Sequence, residues 1–343
     1  MFSFSRKASS LPHLPSLPTV ASIVFGLPLA LWTYKCMMMV LLQRRIIYMG
    51  YAPIGARNQR LQDLPHSSFE DIRCREVVLK GRAGSNLSGI LVRRHDINEE
   101  SVEAVLVYFQ GNAGNPIHRI PMFQHLCKSM SPQHYPRIAI LSMAPRSYWK
   151  STPRWPTQVG IIQDYIDILQ YALHAFPTAR VIPYGHSLGG AAAICTLAEL
   201  QPVVSADKLA DSNPDFDRIR GLILENPFAS IPGMVRALYP QRWLPYRYLA
   251  PLAFDKWDTL AALQPHVGQY TILGRTSREM LVLLSEHDEI VPREMGAQIF
   301  NLANQGHPLN QASVVEIPKA LHENAWMKKA WTDVLLKYLT RIV

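Results

Sequence analysis

The 343-residue sequence predicts an α/β protein: a mostly parallel sheet with helices on both faces, preceded by a transmembrane helix. From about residue 71, strand-like and helix-like segments alternate, and strands such as Ala104–Phe109 (AVLVYF) are continuously apolar, as expected for burial on both faces. An uncharged apolar segment precedes them near the N-terminus. Apolar residues make up 48% of the chain, which provides a sizeable core and excludes wholesale disorder.

The apolar segment at 17–34 is long enough to span a membrane. Its 18 uncharged residues would extend about 27 Å as a helix, close to a hydrocarbon core of about 30 Å. The apolar character continues to Leu42. We therefore predict a short tail at 1–16 and an uncleaved anchor at 17–43. A cleaved signal peptide and a buried core helix are the alternatives.

The basic charge of the chain is concentrated around this segment. The net charge is +9; residues 1–70 carry seven Lys/Arg against two Asp/Glu, or +5, which leaves +4 (28 minus 24) for the other 273 residues. This distribution indicates that the basic residues face a membrane surface. We do not expect nucleic acid to be a partner. More basic residues follow the segment than precede it, so the positive-inside rule predicts a single-pass protein with a cytosolic C-terminal domain.

After the anchor, residues 44–70 are predicted to be an irregular linker and residues 71–343 to be one α/β domain. Asn115-Pro116 offers a helix N-cap followed by proline at the first helical position. A stretch at about 228–275, rich in aromatic residues and proline, is predicted to form a small cap. The eight predicted strands are Cys74–Lys80, Leu87–Val92, Ala104–Phe109, Arg137–Met143, Val181–Tyr184, Gly221–Leu224, Met280–Leu284 and Ser313–Ile317.

Residues 185–189 (GHSLG) match the G-x-S-x-G pattern, in which a serine lies on a sharp turn between a strand and a helix. An apolar strand-like run (VIPY) precedes the pattern and a helix-forming stretch (LGGAAAICTLAEL) follows it, so the context fits as well as the letters. Glycines must flank the serine because Cβ atoms there would collide with neighbouring backbone. Ser187 is therefore the candidate nucleophile, and a plain turn serine is the alternative.

A serine nucleophile needs a base, and the base needs an orienting carboxylate. In proteins with this turn, the chain order is serine, then acid, then histidine. Asp288 lies just after the strand-like run LVLL, which is the position expected for the acid. Glu289 and Glu225 are the competing carboxylates, the second because it ends an earlier strand.

His322 follows the last predicted strand and is the candidate base. Two other histidines are less suitable, because His287 adjoins the acid and His307 precedes the last strand. The twelve histidines of the chain include no HExxH and no H-x-E…PCxxC pattern, and the four cysteines form no CxxC pair. We expect neither a metal nor a cofactor.

Acyl transfer also needs backbone N–H groups aimed at the oxyanion that develops in the transition state. Leu188, the residue after the nucleophile, is expected to supply one of them. The turn after AVLVYF, with the sequence QGNAGN, is expected to supply the other, from Asn112 or Ala113. Its glycines let the main chain approach a substrate. A phosphate-binding loop is the alternative, but the Lys-Ser/Thr of a P-loop is missing.

Together these motifs resemble those of membrane-anchored α/β-hydrolase-domain proteins. The matching stretches are YFQGNAGN, YGHSLGG, LENPFASIPGMV, KWDTL, SEHDEIVP and LHENAW, and the segment KCMMMVLLQRRIIYM is similar to that of fungal members. The resemblance covers about residues 70–343. It implies an α/β-hydrolase fold and gives Ser187, Asp288 and His322 the triad roles. In two places the sequence departs from the family pattern: Gln110 replaces a histidine, and APRSYWKSTP replaces YRGYGxSxG.

The motifs therefore predict a membrane-anchored serine hydrolase, expected to be a monomer, that acts through an acyl-enzyme. The resemblance implies that its substrates are acyl esters or thioesters of lipids or S-acylated proteins. One alternative is a hydrolase acting on a small molecule of secondary metabolism. Another is a membrane-tethered interaction protein with a hydrolase fold that has lost catalysis. The intact order of serine, acid and histidine favours the enzyme.

Overall fold

The computed structural model describes residues 16–131, 133–201, 214–305 and 311–343. In this part of the chain, eight strands form a single sheet. They are β1 (Ile72–Lys80), β2 (Asn86–Arg94), β3 (Ala104–Phe109), β4 (Ile138–Met143), β5 (Arg180–His186), β6 (Leu222–Glu225), β7 (Met280–Ser285) and β8 (Ser313–Ile317). Each corresponds to a predicted strand, with ends that differ by at most two residues.

The strand order in the sheet is β1-β2-β4-β3-β5-β6-β7-β8. Strands β3 to β8 pair in parallel, whereas β2 pairs antiparallel with both β1 and β4. The predicted fold class is confirmed: this is a mostly parallel sheet of the α/β-hydrolase type. Because the carboxyl ends of parallel strands lie at one edge of a sheet, the loops after β3, β5, β6, β7 and β8 meet there.

Helices cover the sheet on both faces, since every residue of β3 and β4 is buried. The apolar helix that follows β5 is itself buried along most of its length. The α-helices are α1 (Leu17–Ala21), α2 (Leu27–Leu41), α3 (Gln43–Ile47), α4 (Ile120–Ser129), α5 (Gln158–Ala175), α6 (Leu188–Leu200), α7 (Ile231–Leu238), α8 (Thr259–Leu263), α9 (Ile272–Arg278), α10 (Arg293–Ala303) and α11 (Lys329–Ile342). Asn115 caps the turn before α4 by accepting a hydrogen bond from the backbone of His118, as predicted.

The N-terminal apolar segment is a helix that runs from Leu17 to Leu41, with one π-helical turn at Ser22–Gly26. Its 25 residues are long and apolar enough to cross a membrane, and none of its most apolar 18-residue window is buried in the protein. The alternative of a buried core helix is therefore wrong. One N-terminal apolar helix fits a single-pass anchor; residues 1–15 of the predicted tail lie outside the described residues.

The segment predicted as a linker, 44–70, is packed against the domain. Tyr48 is buried and accepts a hydrogen bond from Trp257 Nε1 at 2.8 Å. Arg44 forms an ion pair with Asp255 at 2.9 Å. Each of these contacts joins residues more than 200 positions apart, which explains why no local pattern reveals them.

The stretch predicted as a cap, about 228–275, divides into two parts. Its first part contains α7 and a 3₁₀ helix at Pro245–Leu252. It contacts the N-terminal apolar helix, where Lys35 Nζ lies 4.8 Å from the ring centre of Tyr246. Its second part contains α8 and α9, which pack against α6 beside the sheet.

Candidate active site

Ser187 lies on the sharp turn between β5 and α6. Its backbone has φ +54° and ψ −118°, a strained conformation for a non-glycine residue. Close packing of the turn requires the flanking glycines: a Cβ on Gly189 would lie 1.9 Å from the carbonyl oxygen of Phe109, and one on Gly185 would lie 2.4 Å from the carbonyl oxygen of Gly189. The turn thus holds the serine at the carboxyl edge of the sheet, with 8% of its surface exposed.

Asp288 and His322 form a buried pair at the same edge, after β7 and β8. His322 Nδ1 lies 2.8 Å from Asp288 Oδ2 and 3.0 Å from Oδ1. Both side chains are 2% exposed. An Nδ1–H that donates to the carboxylate leaves Nε2 as the unprotonated nitrogen of a neutral imidazole, which is the tautomer a general base requires.

Hydrogen bonding keeps the carboxylate ionised. Burial raises the pKa of Asp288, but the hydrogen bond from His322 and those from the backbone N–H groups of Val291 and Ile290 outweigh it, so the pKa lies below its ordinary value. The backbone bonds to Oδ1 measure 2.8 and 2.9 Å. They also fix the direction in which the carboxylate points.

The competing carboxylates have other contacts. Glu289 Oε2 accepts a hydrogen bond from the backbone N–H of His322 at 3.0 Å, rather than from its ring. Glu225 accepts hydrogen bonds from the Tyr184 hydroxyl and from Trp331 Nε1, and burial raises its pKa. Of the two competing histidines, His287 is exposed and His307 lies outside the described residues.

Three side chains hold the backbone of His322, a role that the sequence reasoning gave to none of them. Asn226 Nδ2 donates to its carbonyl oxygen at 2.9 Å, and His186 Nε2 lies 3.0 Å from the same oxygen. Glu289 accepts from its N–H. Asn226 and Glu289 directly follow residues that the motif search did find, so their strand-end positions were the available signal.

His186, the variable residue inside G-x-S-x-G, belongs to a buried polar network. Its Nδ1 lies 3.3 Å from an Arg119 guanidinium nitrogen, and Arg119 pairs with Glu323 at 2.6 Å. Burial and the neighbouring Arg119 charge lower the pKa of His186 to about 3. The imidazole is therefore neutral at pH 7, with Nε2–H donating to the His322 carbonyl and Nδ1 accepting from Arg119.

One cluster of the described residues has the spacing of a metal site: ligand atoms of His186, His322 and Glu323 lie within 4.8 Å of one another. All three residues have protein partners, however. Both nitrogens of His186 are hydrogen-bonded, Glu323 pairs with Arg119, and His322 Nδ1 faces Asp288. A cation there would lie beside the Arg119 charge, so this set of donors is unsuited to a metal ion.

The QGNAGN loop after β3 lies next to the serine turn, since a Cβ on Gly111 would lie 3.9 Å from Ser187 Cβ. Two contacts orient the loop through the carbonyl oxygen of Asn112, which accepts from Met49 N–H at 2.6 Å and from the Tyr148 hydroxyl at 2.9 Å. Among the described residues, neither the Ala113 N–H nor the Leu188 N–H donates to a protein acceptor. Leu188 is the first residue of α6, where backbone N–H groups have no partner within the helix.

A serine in a strained strand-to-helix turn and a carboxylate-bound histidine at the same sheet edge, in this fold, define a serine hydrolase of the esterase type. The sequence profile described as the alpha/beta hydrolase family matches residues 119–320. The chain belongs to the alpha/beta hydrolase family.

The chain is 25% identical over 301 residues to the fission yeast (Schizosaccharomyces pombe) protein bem46, a match that covers 87% of this chain and 85% of that protein. It is 26% identical over 221 residues to the zebrafish (Danio rerio) lysophosphatidylserine lipase ABHD12, covering 64% of this chain but only 52% of that lipase. Among solved structures, an esterase of Pyrococcus furiosus superposes with a TM-score of 0.55 at 15% identity, over 81% of this chain and 94% of that one.

Proposed function

We propose that the protein is a membrane-anchored serine hydrolase that cleaves acyl esters or thioesters through a triad of Ser187, His322 and Asp288. The observation that carries the proposal is the buried His322–Asp288 pair, at 2.8 Å, on the sheet edge where Ser187 occupies a strained turn. Strain of this kind is kept where surrounding structure enforces it, and it concentrates at functional sites.

The chemistry follows from the protonation states. His322 Nε2 accepts the hydroxyl proton while Ser187 Oγ attacks the acyl carbonyl carbon, and Asp288 stabilises the imidazolium that forms. Collapse of the tetrahedral intermediate breaks the acyl bond to oxygen or sulfur, and His322 returns the proton to the leaving group. Water then attacks the acyl-serine by the same route and releases the carboxylic acid and free Ser187.

The oxyanion of each intermediate is assigned to two backbone donors, Leu188 N–H and the N–H of Asn112 or Ala113. Among the described residues, the N–H groups of Leu188, Asn112 and Ala113 donate to no protein acceptor, which supports this assignment. The bonds to the Asn112 carbonyl from Met49 and Tyr148 fix the peptide that carries the Ala113 N–H, which is the preorganisation an oxyanion site requires.

For the substrate, we propose acyl lipids or S-acylated proteins at a membrane surface. The apolar helix Leu17–Leu41 supports this, because a tether concentrates the enzyme where such substrates are held. The lipase named among the relatives also supports a lipid substrate. A panel of soluble esters, thioesters and liposome-borne lysophospholipids with graded acyl length would test the class; activity confined to soluble non-acyl esters would contradict it.

The nucleophile is tested by covalent labelling. The purified protein should react with a fluorophosphonate probe, and Ser187→Ala should lose the label because its Oγ is missing. Ser142→Ala is a matched control, since Ser142 is a buried serine within β4. Labelling that persists in Ser187→Ala would place the nucleophile elsewhere.

We further propose that the catalytic domain faces the cytosol, on the basis of the basic residues that follow the anchor helix. Asn86-Leu87-Ser88 fits the glycosylation acceptor pattern, and Asn86 is exposed at the start of β2. In a cytosolic domain it should remain unmodified. An endoglycosidase-sensitive mass shift in cells that disappears in Asn86→Gln would place the domain in the lumen.

A further inference from the structure

A cavity of about 530 Å³ lies next to the C-terminal end of the N-terminal apolar helix, where that helix meets the domain. Four arginines line it: Arg44, Arg45, Arg57 and Arg154. Three aromatic residues contribute to its walls: Tyr48, Tyr51 and Trp155. None of its described lining residues is acidic, so the cavity is strongly cationic.

The arginine charges are only partly neutralised by the protein. Arg44 has a counterion, Asp255, at 2.9 Å. Arg57 instead donates to the carbonyl oxygens of Ser147 and Ser151, at 2.8 and 3.2 Å, which are neutral acceptors. Arg45 is exposed. Among the described residues, neither Arg45 nor Arg57 has a carboxylate partner, so at least these two charges around the cavity favour an anionic ligand.

The position of the cavity relative to the anchor restricts which anion fits. The apolar helix ends at Leu41, and Arg44 and Arg45 follow within about one helical turn, or roughly 5–6 Å along the axis. The polar layer on each side of a hydrocarbon core is about 5–7 Å thick. With Leu17–Leu41 spanning a bilayer, these arginines lie at the depth of the lipid phosphates. Tyr51 and Trp155, which are 53% and 60% exposed, suit the same interface.

We propose that this cavity binds the phosphate of an anionic glycerophospholipid from the leaflet next to the domain. Guanidinium groups bind phosphate oxygens with strong charge-assisted hydrogen bonds, and Arg45 and Arg57 supply charges that no carboxylate of the described residues neutralises. Its lining includes none of the residues proposed for the triad or the oxyanion site, so lipid binding there does not require the hydrolase chemistry.

Lipid binding to the full-length protein tests the site directly. Protein in neutral-detergent micelles is mixed with phosphatidic acid or with phosphatidylcholine, and bound lipid is counted by native mass spectrometry over a concentration series. The wild type should prefer phosphatidic acid, and Arg45→Gln and Arg57→Gln should each weaken its binding about fivefold. Arg73→Gln, an exposed arginine on β1 far along the sheet, removes the same charge and should leave binding unchanged.

The outcomes separate the alternatives. An equal loss in Arg73→Gln would attribute the preference to overall charge, and unchanged binding in Arg45→Gln would exclude the cavity; either result overturns the proposal. Arg45 makes no structural ion pair, so its variant is informative even where Arg57→Gln misfolds. Glycerol 3-phosphate that binds as tightly as the lipid would identify a soluble phosphate ester as the ligand and overturn the lipid assignment. The experiment measures lipid binding and not turnover. Its result would therefore stand even if the protein proved to have no hydrolase activity.

Discussion

At the residue scale, the two neighbouring carboxylates Asp288 and Glu289 have different contacts with His322. Asp288 contacts the imidazole and Glu289 contacts the backbone N–H, at 2.8 and 3.0 Å. Sequence position alone could not separate them, since they are adjacent in a loop. The direction of each side chain depends on the turn at 288–291, where backbone N–H groups bind Asp288 Oδ1.

This difference predicts unequal effects of two matched substitutions. Asp288→Asn should reduce kcat by about 10³–10⁴-fold with the fold retained, because the amide cannot favour the required tautomer or stabilise the imidazolium. Glu289→Gln should be mild, because the amide oxygen can still accept from the His322 N–H. Steady-state kinetics on a soluble ester, normalised to folded protein by circular dichroism, measures both. A larger loss in Glu289→Gln would show that the acid has been misassigned.

His186 predicts a pH dependence of stability. Its pKa falls from 6.5 in the unfolded chain to about 3 in the native protein, so below pH 6.5 only the unfolded chain binds this proton. Stability should therefore decrease as pH falls from 7 to 5, and this histidine should contribute up to about 2 kcal/mol of the loss at pH 5.

The measurement is the urea midpoint of the detergent-solubilised protein at pH 7, 6 and 5, for the wild type and His186→Gln. The urea midpoints of the two proteins at pH 7 can differ. The prediction is that the midpoint of His186→Gln falls less between pH 7 and pH 5 than that of the wild type. Other histidines with lowered pKa, such as His118 and His125, contribute equally to both proteins and cancel in the comparison. An equal fall of the urea midpoint with pH in both proteins would contradict the lowered pKa of His186.

At the scale of elements, the turn between β5 and α6 is packed directly on the end of β3. The backbone at Gly189 approaches the Phe109 carbonyl so closely that no Cβ fits between them. This contact fixes the position of the serine turn relative to the loop that begins at Gln110. The glycines of the motif thus determine the spacing between Ser187 and the QGNAGN loop.

Gly189→Ala should therefore destabilise the protein by about 3 kcal/mol or more, because its methyl group would overlap backbone atoms that cannot move independently. Gly190→Ala is the matched control in the same helix. Its Cβ would lie 3.1 Å from Pro227 Cβ, a tight contact but 1.2 Å longer than the 1.9 Å overlap at Gly189 (3.1 minus 1.9). Urea midpoints compare the two variants. Equal stability of both alanine variants would show that the strand end and the turn are less closely packed.

At the scale of the whole molecule, the anchor and the domain are joined by a packed segment. Gln43 bonds to Leu252 and Phe254, Arg44 to Asp255, and Met49 to the oxyanion loop. The N-terminal apolar helix is therefore connected to the candidate active site through an ordered chain of contacts. The position of a truncation should decide its effect.

Removal of residues 1–41 should leave the rate on short soluble esters unchanged, while turnover of liposome-borne acyl substrates should fall by about tenfold or more, because the tether is lost. Removal of residues 1–50 should lower both rates, since it also deletes the Met49 hydrogen bond to Asn112. Active-site titration with a fluorophosphonate normalises the comparison.

Two results would contradict this account. Equal activity of the wild type and the 1–41 truncation on liposomes would reduce the anchor to a targeting signal. Loss of soluble-ester activity in the 1–41 truncation would make the helix part of the folded domain, and the anchor assignment would then fail.

The sequence by itself determined the elements and their order. Apolar runs indicate the strands, and capping residues and glycines indicate where helices begin. The serine, the acid and the histidine each follow a parallel strand, which places all three at one edge of the sheet. These are local properties, because strand and helix periodicity depends on neighbouring residues. The same holds for the apolar helix near the N-terminus, whose length and composition are visible without a fold.

Only the tertiary structure decided which groups contact one another. The packing of 44–70 on the domain, the network of His186, Arg119 and Glu323, and the gathering of Arg45 with Arg154 around one cavity all join distant parts of the chain. No periodicity encodes such contacts, since they depend on how loops are placed after the sheet has formed. The choice of Asp288 over Glu289 likewise required side-chain directions, which three-dimensional packing sets.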